Sequence, residues 1–124
     1  MLSKLYKKYK AGDVVLVKYD TFEHTTETGI FVVIHDGKYD YNAIDINIMG
    51  IKITSKSLSN DYCVNIPKGM ANLDLDSVVC CSTIHKIHKG NITSKIGKLS
   101  DDKIKEIRDK FEMFSNEILR QMEV

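Results

Sequence analysis

Short apolar runs, each bounded by turn-forming residues, dominate the first two thirds of the chain. They predict β-strands at 14–17, 30–34, 43–53, 62–66 and 77–81, with 83–87 either extending the last strand or pairing separately. Turn signals such as Asp36-Gly37-Lys38 and Pro67-Lys68-Gly69 separate these runs. Gly50 interrupts the third candidate strand, where it predicts a bulge or a bend. This pattern is typical of a small antiparallel barrel or sandwich.

The period changes to that of a helix near the C-terminus. One apolar stripe recurs at three- and four-residue spacing: Ile104, Ile107, Phe111, Phe114, Ile118 and Met122. Ser100 is a good N-cap, and Asp101 and Asp102 place negative charge on the first turn. We therefore predict a helix over about 100–122. Its stripe packs on the sheet, or alternatively meets a partner helix or a second copy.

Composition is consistent with a single domain. The chain has 124 residues, 43% of them hydrophobic, and a formal net charge of +1. Those values allow an ordinary core, with the sheet in about 10–98, and exclude a strongly basic nucleic-acid binder. They leave room for a local basic patch, such as the lysines at 4, 7, 8 and 10.

The three cysteines, Cys63, Cys80 and Cys81, are odd in number and two of them are adjacent. This arrangement is a poor disulfide framework and favours a reducing compartment. No stretch resembles a signal peptide or approaches the roughly 20 apolar residues of a membrane span. We therefore expect a soluble, cytoplasmic protein.

Metal chemistry is a weak possibility in the segment that carries His85 and His88 downstream of the adjacent cysteines. Residues three apart on a strand point to opposite faces, and adjacent cysteines are not spaced to share one ion. We predict no metal site and no cofactor. Thr54-Ser55-Lys56 is a more useful signal, because hydroxyls and a cation at a strand end can hold a phosphate, although such a triplet also commonly begins a loop.

Several segments, in order along nearly the whole chain, resemble the MazF/PemK family of bacterial toxins from type II toxin–antitoxin systems. The similar segments are AGDVVLVKY, GIFVVIHD, KITSK and LDLDSVVCCSTIHKIHKGNITSKIGKLSDDKIKEI. The resemblance implies an SH3-like β-barrel with a terminal helix, a homodimer and an antitoxin partner. It also implies an endoribonuclease that cuts single-stranded RNA without metal, through attack of the RNA 2′-hydroxyl on the adjacent phosphate.

The family usually carries a catalytic arginine in an Arg-Pro pair at the entry to its second strand, where this chain has Gly29-Ile30. The family's phosphate-holding threonine corresponds to Thr54. Both arginines of this chain, Arg108 and Arg120, lie in the predicted helix. The polar stretch 24–28 therefore occupies the place where the family builds its site, but without the usual cation.

These considerations assign candidate roles. His24 is the first candidate for acid–base work, since histidine titrates near neutral pH. Thr54 and Ser55 would hold the phosphate, with Lys52 or Lys56 supplying positive charge. The candidate residues are His24 and Thr54 for catalysis, and Glu23, Glu27, Thr28, Lys52, Ser55 and Lys56 for substrate contacts. Two alternatives remain: a catalytically silent member of the fold that regulates or inhibits by binding nucleic acid or protein, and an adaptor barrel unrelated to toxins.

Overall fold

The computed structural model describes residues 5–20, 23–38, 46–57 and 59–124. Within them lie one long helix, α1 (Asp101–Gln121), and two short 3-10 turns, Met70–Asn72 and Lys89–Asn91. The strands are β1 (Asp13–Asp20), β2 (Thr26–His35), β3 (Asn47–Thr54), β4 (Cys63–Ile66), β5 (Ser77–Cys80), β6 (His85–His88) and β7 (Ile92–Lys98). None of the helices in these ranges is long and apolar enough to cross a membrane.

All strand pairs are antiparallel and belong to one sheet, in the order β4-β5-β3-β2-β1-β7, with β6 added beside β3. The predicted fold class, mainly β with a C-terminal helix, is confirmed. The expectation of a closed barrel needs one correction. Within the described ranges no strand pairing joins β4 to β7, so the sheet curls without closing.

Residues 26–29 belong to a strand, whereas the predicted strand began only at Ile30. β2 begins at Thr26, and its first residues pair with the end of β1 through Asp20 opposite Thr26 and Tyr19 opposite Glu27. The Thr26 hydroxyl also donates to Asp20 Oδ1 at 3.1 Å. Threonine fits a pleated strand well, so cross-strand pairing extends the hairpin beyond its apolar core.

Gly50 lies where β3 is flanked on both sides. It pairs with Val33 of β2 and with His85 of β6, and the β2–β3 register shifts next to it. A Cβ at this position would lie 2.7 Å from Ile87 Cδ1 and 3.0 Å from the Val32 carbonyl oxygen. The glycine is therefore required by close packing beside the register shift. The first part of the predicted third strand, 43–45, falls outside the described residues.

Two features of the C-terminal half were left open or missed by sequence reasoning. The segment 83–87 does pair separately, as β6 along the first half of β3. β7 was not predicted, because its stretch of Thr93, Ser94 and Lys95 interrupts the apolar run. It nevertheless pairs with β1 through two register shifts.

The two faces of the sheet carry separate clusters of buried side chains. One face, represented by Val14, Val32 and Ile51, packs against α1 through Ile107. The other face, represented by Phe31 and residues that include Val15 and Ile87, contains the smaller cluster. Because strand side chains alternate, neighbouring residues of β3 belong to opposite faces. Lys52 and Thr54 therefore lie on the Phe31 face.

Helix α1 confirms the predicted bounds and the predicted cap. The Ser100 side chain accepts a hydrogen bond from the Lys103 backbone N–H at 3.3 Å. The apolar stripe packs on the sheet only along its first half. Ile107 is buried, whereas Phe111 is 37% exposed and Ile118 is 43% exposed. Packing on the sheet is therefore confirmed for the first half of the stripe, and the outer half is exposed within one copy of the chain.

The cysteine prediction is also wrong. Cys63 on β4 lies directly opposite Cys80 on β5, and the two form a disulfide. The number and spacing of cysteines in a sequence do not reveal how strands pair. Here the β4–β5 pairing brings together two cysteines that are 17 positions apart. Cys81 is the remaining thiol, and burial raises its pKa to about 11. The pairing removes the sequence-based reason for a reducing compartment.

Candidate active site

Two adjacent clefts open on the Phe31 face of the sheet. The first has a volume of about 270 Å³, and Lys52, Thr54 and His85 are among its lining residues. The second, of about 250 Å³, is lined by Tyr19, Phe31, Lys52, His85 and residues that follow along β6. Lys52 and His85 are common to both clefts. The two are therefore neighbouring parts of one depression, which we call the Lys52 groove.

Lys52 is held in the groove by an aromatic neighbour. Its Nζ donates to Tyr19 Oη at 3.0 Å and lies 5.6 Å from the centre of the Tyr19 ring. Tyr19 Oη in turn donates weakly to Glu27 Oε2 at 3.5 Å. Lys52 remains exposed, so its ammonium is oriented by the ring but accessible to a ligand. Together with Lys56 and Lys86, which also line the clefts, Lys52 makes the groove locally cationic.

Gly29 forms the floor below this lysine. A Cβ built there would lie 3.0 Å from Tyr19 Cε1, 3.1 Å from Phe31 Cε1 and 3.6 Å from Lys52 Cε. The space above β2 is thus occupied by side chains from β1 and β3. A residue larger than glycine at position 29 would have to displace them. The position that carries an arginine in the resembling toxins is filled here by a lysine reaching over from the adjacent strand.

His85 is the titratable group that sequence reasoning did not place in the site. It pairs with Gly50 across β6 and β3, and it contacts the Phe31 ring edge-on, with centroids 5.3 Å apart. Partial burial, and then the nearby Lys52 charge, lower the pKa of the imidazole below its ordinary value of 6.5. The strand period alone could not have found it, because His85 reaches the face of Lys52 only through its pairing with Gly50.

The predicted phosphate-binding triplet lies where β3 ends. Thr54 Oγ1 accepts from the Lys56 backbone N–H at 3.2 Å, forming a tight turn. Lys56 also lines the first cleft. On the other side of this turn Ser55 and Lys56 border a third, polar cleft of about 530 Å³ that also includes Lys103. The triplet therefore separates two openings on the same edge of the sheet.

The remaining predicted residues are not all brought together. Glu27 joins the groove through Tyr19, but Thr28 points to the opposite face by strand alternation. Glu23 and His24 lie exposed in the β1–β2 turn, where His24 has a φ of 63°. Neither of them lines either cleft of the Lys52 groove.

The cysteine and histidine residues that raised the question of a metal do not form a ligand set in the structure. Cys80 is bonded to Cys63, which removes it as a thiolate ligand. His88 Nδ1 accepts from the Gly90 backbone N–H at 2.9 Å. Across residues 5–20, 23–38, 46–57 and 59–124, no group of three or more His, Cys, Asp or Glu side chains could hold an ion.

Several solved structures superpose on this chain over most of its length. MazF from Deinococcus radiodurans superposes with a TM-score of 0.67 at 13% identity, covering 89% of this chain and 98% of that one. A MazE–MazF structure from the same organism gives a TM-score of 0.70 at 14% identity, with 87% and 96% covered. An endoribonuclease in complex with its cognate antitoxin, from a mycobacterial species, gives 0.68 at 9%, with 87% and 95% covered. At these identities the likeness establishes the fold.

The sequence profile described as "PemK-like, MazF-like toxin of type II toxin-antitoxin system" matches residues 10–114. No curated protein sequence matches the chain. Because the profile spans most of the chain, the protein belongs to the PemK-like, MazF-like toxin family.

Proposed function

We propose that the protein is the toxin of a type II system and a metal-independent endoribonuclease that cuts single-stranded RNA in the Lys52 groove. The observation that carries the proposal is the Lys52 ammonium, oriented by Tyr19 over Gly29 in the cleft that also contains Thr54. A cation at this point would take the place of the arginine that the family resemblance leads one to expect at Gly29-Ile30. The substrates are RNA, so we propose that the protein acts in the cytoplasm.

The proposed chemistry uses the RNA itself as the nucleophile. The 2′-oxygen attacks the adjacent phosphorus, the bond to the 5′-oxygen breaks, and a 2′,3′-cyclic phosphate and a 5′-hydroxyl result. Lys52 offsets the charge that develops on the phosphorane oxygens, and Thr54 donates a hydrogen bond to the phosphate. Ser55, which borders the third cleft, would contact the RNA beyond the turn. Proton transfer needs a further group near neutral pH, and His24 is the candidate that the sequence suggests.

Substrate binding follows from the charge and openness of the groove. Lys52 and Lys56 are exposed cations at its walls, and the half-buried Tyr19 ring supplies aromatic surface beside them. Single-stranded nucleic acid binds well to such combinations of cations and aromatic rings, because every base has a stacking face. Glu27, which is hydrogen-bonded to Tyr19, would contribute a contact near the β1–β2 hairpin, whereas Thr28 lies on the opposite face and Glu23 lies outside the groove. Two of the fold neighbours are described as toxin–antitoxin complexes, which supports an antitoxin as the inhibitory partner.

A cleavage assay tests the proposal. The purified chain is incubated with a pool of single-stranded RNA, with the same sequences as duplex RNA, and with single-stranded DNA, each in the presence of EDTA. We expect cleavage of the single-stranded RNA alone, with an unchanged rate when EDTA is omitted. DNA lacks the 2′-hydroxyl that must attack, so cleavage of DNA contradicts the proposal. Binding of RNA without any cleavage favours the alternative of a silent binding protein.

We also propose that the chain forms a homodimer. The outer half of the α1 stripe, including Phe111 and Ile118, is exposed in a single copy, and one copy offers only part of a groove for RNA. Sedimentation over a wide concentration range is expected to show a species of twice the 14.1 kDa chain mass. A monomer at every concentration contradicts this proposal.

A further inference from the structure

We propose that His85 is the residue that transfers the proton from the attacking 2′-hydroxyl in the Lys52 groove. This inference rests on the proposed RNA cleavage and names the catalytic base for it. His85 is common to both clefts of the groove, together with Lys52, whereas His24 lines neither. The position of its side chain in the groove therefore favours His85 over His24 as the catalytic base.

Strand register is what places the imidazole at this point. His85 pairs with Gly50, two residues before Lys52 on β3, and paired residues share a face of the sheet. Lys52 is therefore the diagonal neighbour of His85 across the β3–β6 pair, within reach of a long side chain. Thr54 follows two residues further along the same face and lines the first cleft with both.

The ring is also oriented by its packing. The imidazole contacts the Phe31 ring edge-on, at an interplanar angle of 78°, and this contact restricts the orientation of the imidazole ring. The imidazole is only half-buried and lines both clefts of the groove. A substrate hydroxyl can then approach the ring from the groove, which a histidine in a filled core would not permit.

The electrostatic environment favours the form that a base needs. Burial and the Lys52 charge lower the pKa of His85, so the imidazole is neutral and able to accept a proton at pH 7. The titratable or charged groups that line the groove with His85 are Tyr19, Lys52, Lys56, Lys86 and His88, with Glu27 hydrogen-bonded to Tyr19. Cations predominate, which disfavours the imidazolium form.

The proton balance is simple. The neutral imidazole takes the proton of the 2′-hydroxyl as the 2′-oxygen bonds to phosphorus. The bond from phosphorus to the 5′-oxygen breaks, and that oxygen leaves with the proton that the imidazolium gives up, either directly or by exchange through solvent water. His85 returns to its neutral form, and no electron carrier or metal takes part. The 2′,3′-cyclic phosphate keeps the single negative charge of the original diester.

The test is the His85→Gln variant assayed on the single-stranded RNA pool, with His35→Gln as the matched control. His35 lies at the far end of β2, in an apolar groove beside α1, and not in the Lys52 groove. We expect His85→Gln to lower the cleavage rate roughly 10²–10⁴-fold, while RNA bearing a 2′-deoxy substitution at the cut site binds with near wild-type affinity. His35→Gln should cleave at about the wild-type rate.

The pH profile gives a second readout that does not depend on the folding of the variant. The wild-type rate should rise with pH through a midpoint below 6.5 and then level off, because only the neutral imidazole acts as the base. That midpoint should coincide with the pKa of His85 measured by NMR. A wild-type rate retained by folded His85→Gln overturns this assignment, as does a kinetic midpoint that follows His24 instead. Absence of cleavage by the wild-type protein overturns the proposed function as well.

Discussion

Replacing Lys52 with methionine is expected to lower the rate of RNA cleavage roughly 10²–10³-fold, the usual cost of removing one group that stabilises developing charge. Methionine keeps most of the length of the side chain and its contact with Tyr19, so the change removes mainly the ammonium. The effect should fall on kcat more than on KM, because phosphorane charge is greatest in the transition state. The measurement is steady-state cleavage of a short single-stranded RNA that contains one cut site.

Lys18→Met is the matched control for this prediction. Lys18 is another exposed strand lysine, one residue from Tyr19 along β1, but alternation points it to the opposite face of the sheet. It should retain the wild-type kcat. Lys52→Arg should also retain most of the activity, since it keeps the charge and adds a planar fork that suits phosphate. Equal losses in the Lys52→Met and Lys18→Met variants would mean that only overall charge matters.

The largest stability effect is expected at the buried half of helix α1. Ile107→Ala should lower the free energy of unfolding by about 2–5 kcal/mol, the range for truncating a buried isoleucine. Ile107 is 6% exposed and packs in one cluster with residues from β1, β2 and β3, so its removal leaves a cavity between helix and sheet. Denaturant unfolding followed by circular dichroism measures the loss.

Ile118→Ala makes the same change on the same helix, about three turns further on. Ile118 is 43% exposed in one copy, so at protein concentrations low enough to keep the chain monomeric its truncation should cost less than about 1 kcal/mol. Phe111→Ala should fall between the two, since that ring is 37% exposed. If Ile118→Ala costs as much as Ile107→Ala, the outer half of the helix is covered in solution, which then points to the dimer interface.

Hydrophobic periodicity correctly predicted those elements in which apolar side chains alternate along a strand or recur at helical spacing. The stripe from Ile104 to Met122 and the Ser100 cap determined the helix. The same method missed β7, because residues 93–95 are polar and held by pairing with β1. It also placed the start of β2 too late, since threonine and glutamate in a hairpin pair look like a loop in sequence.

The candidate site was only partly visible because its residues meet through register. Lys52 and Thr54 are two apart on one strand, so alternation alone places them on one face. His85 joins them only through the β3–β6 pairing with Gly50, and Cys63 meets Cys80 only through the β4–β5 pairing. Neither strand pairing can be predicted from the spacing of these residues along the sequence. The strand pairing also explains how a lysine on β3 reaches the space above Gly29 on β2.

The most direct test of the account is to identify the chemical ends of the RNA fragments by mass spectrometry, after incubation of the purified chain with a single-stranded RNA in EDTA. Attack by the RNA's own 2′-oxygen predicts a 2′,3′-cyclic phosphate on one fragment and a 5′-hydroxyl on the other, and no cut where a single 2′-deoxy nucleotide replaces the attacking residue. Fragments that carry a 5′-phosphate and a 3′-hydroxyl, or cleavage at the 2′-deoxy position, would contradict it, because the attacking oxygen would then come from water.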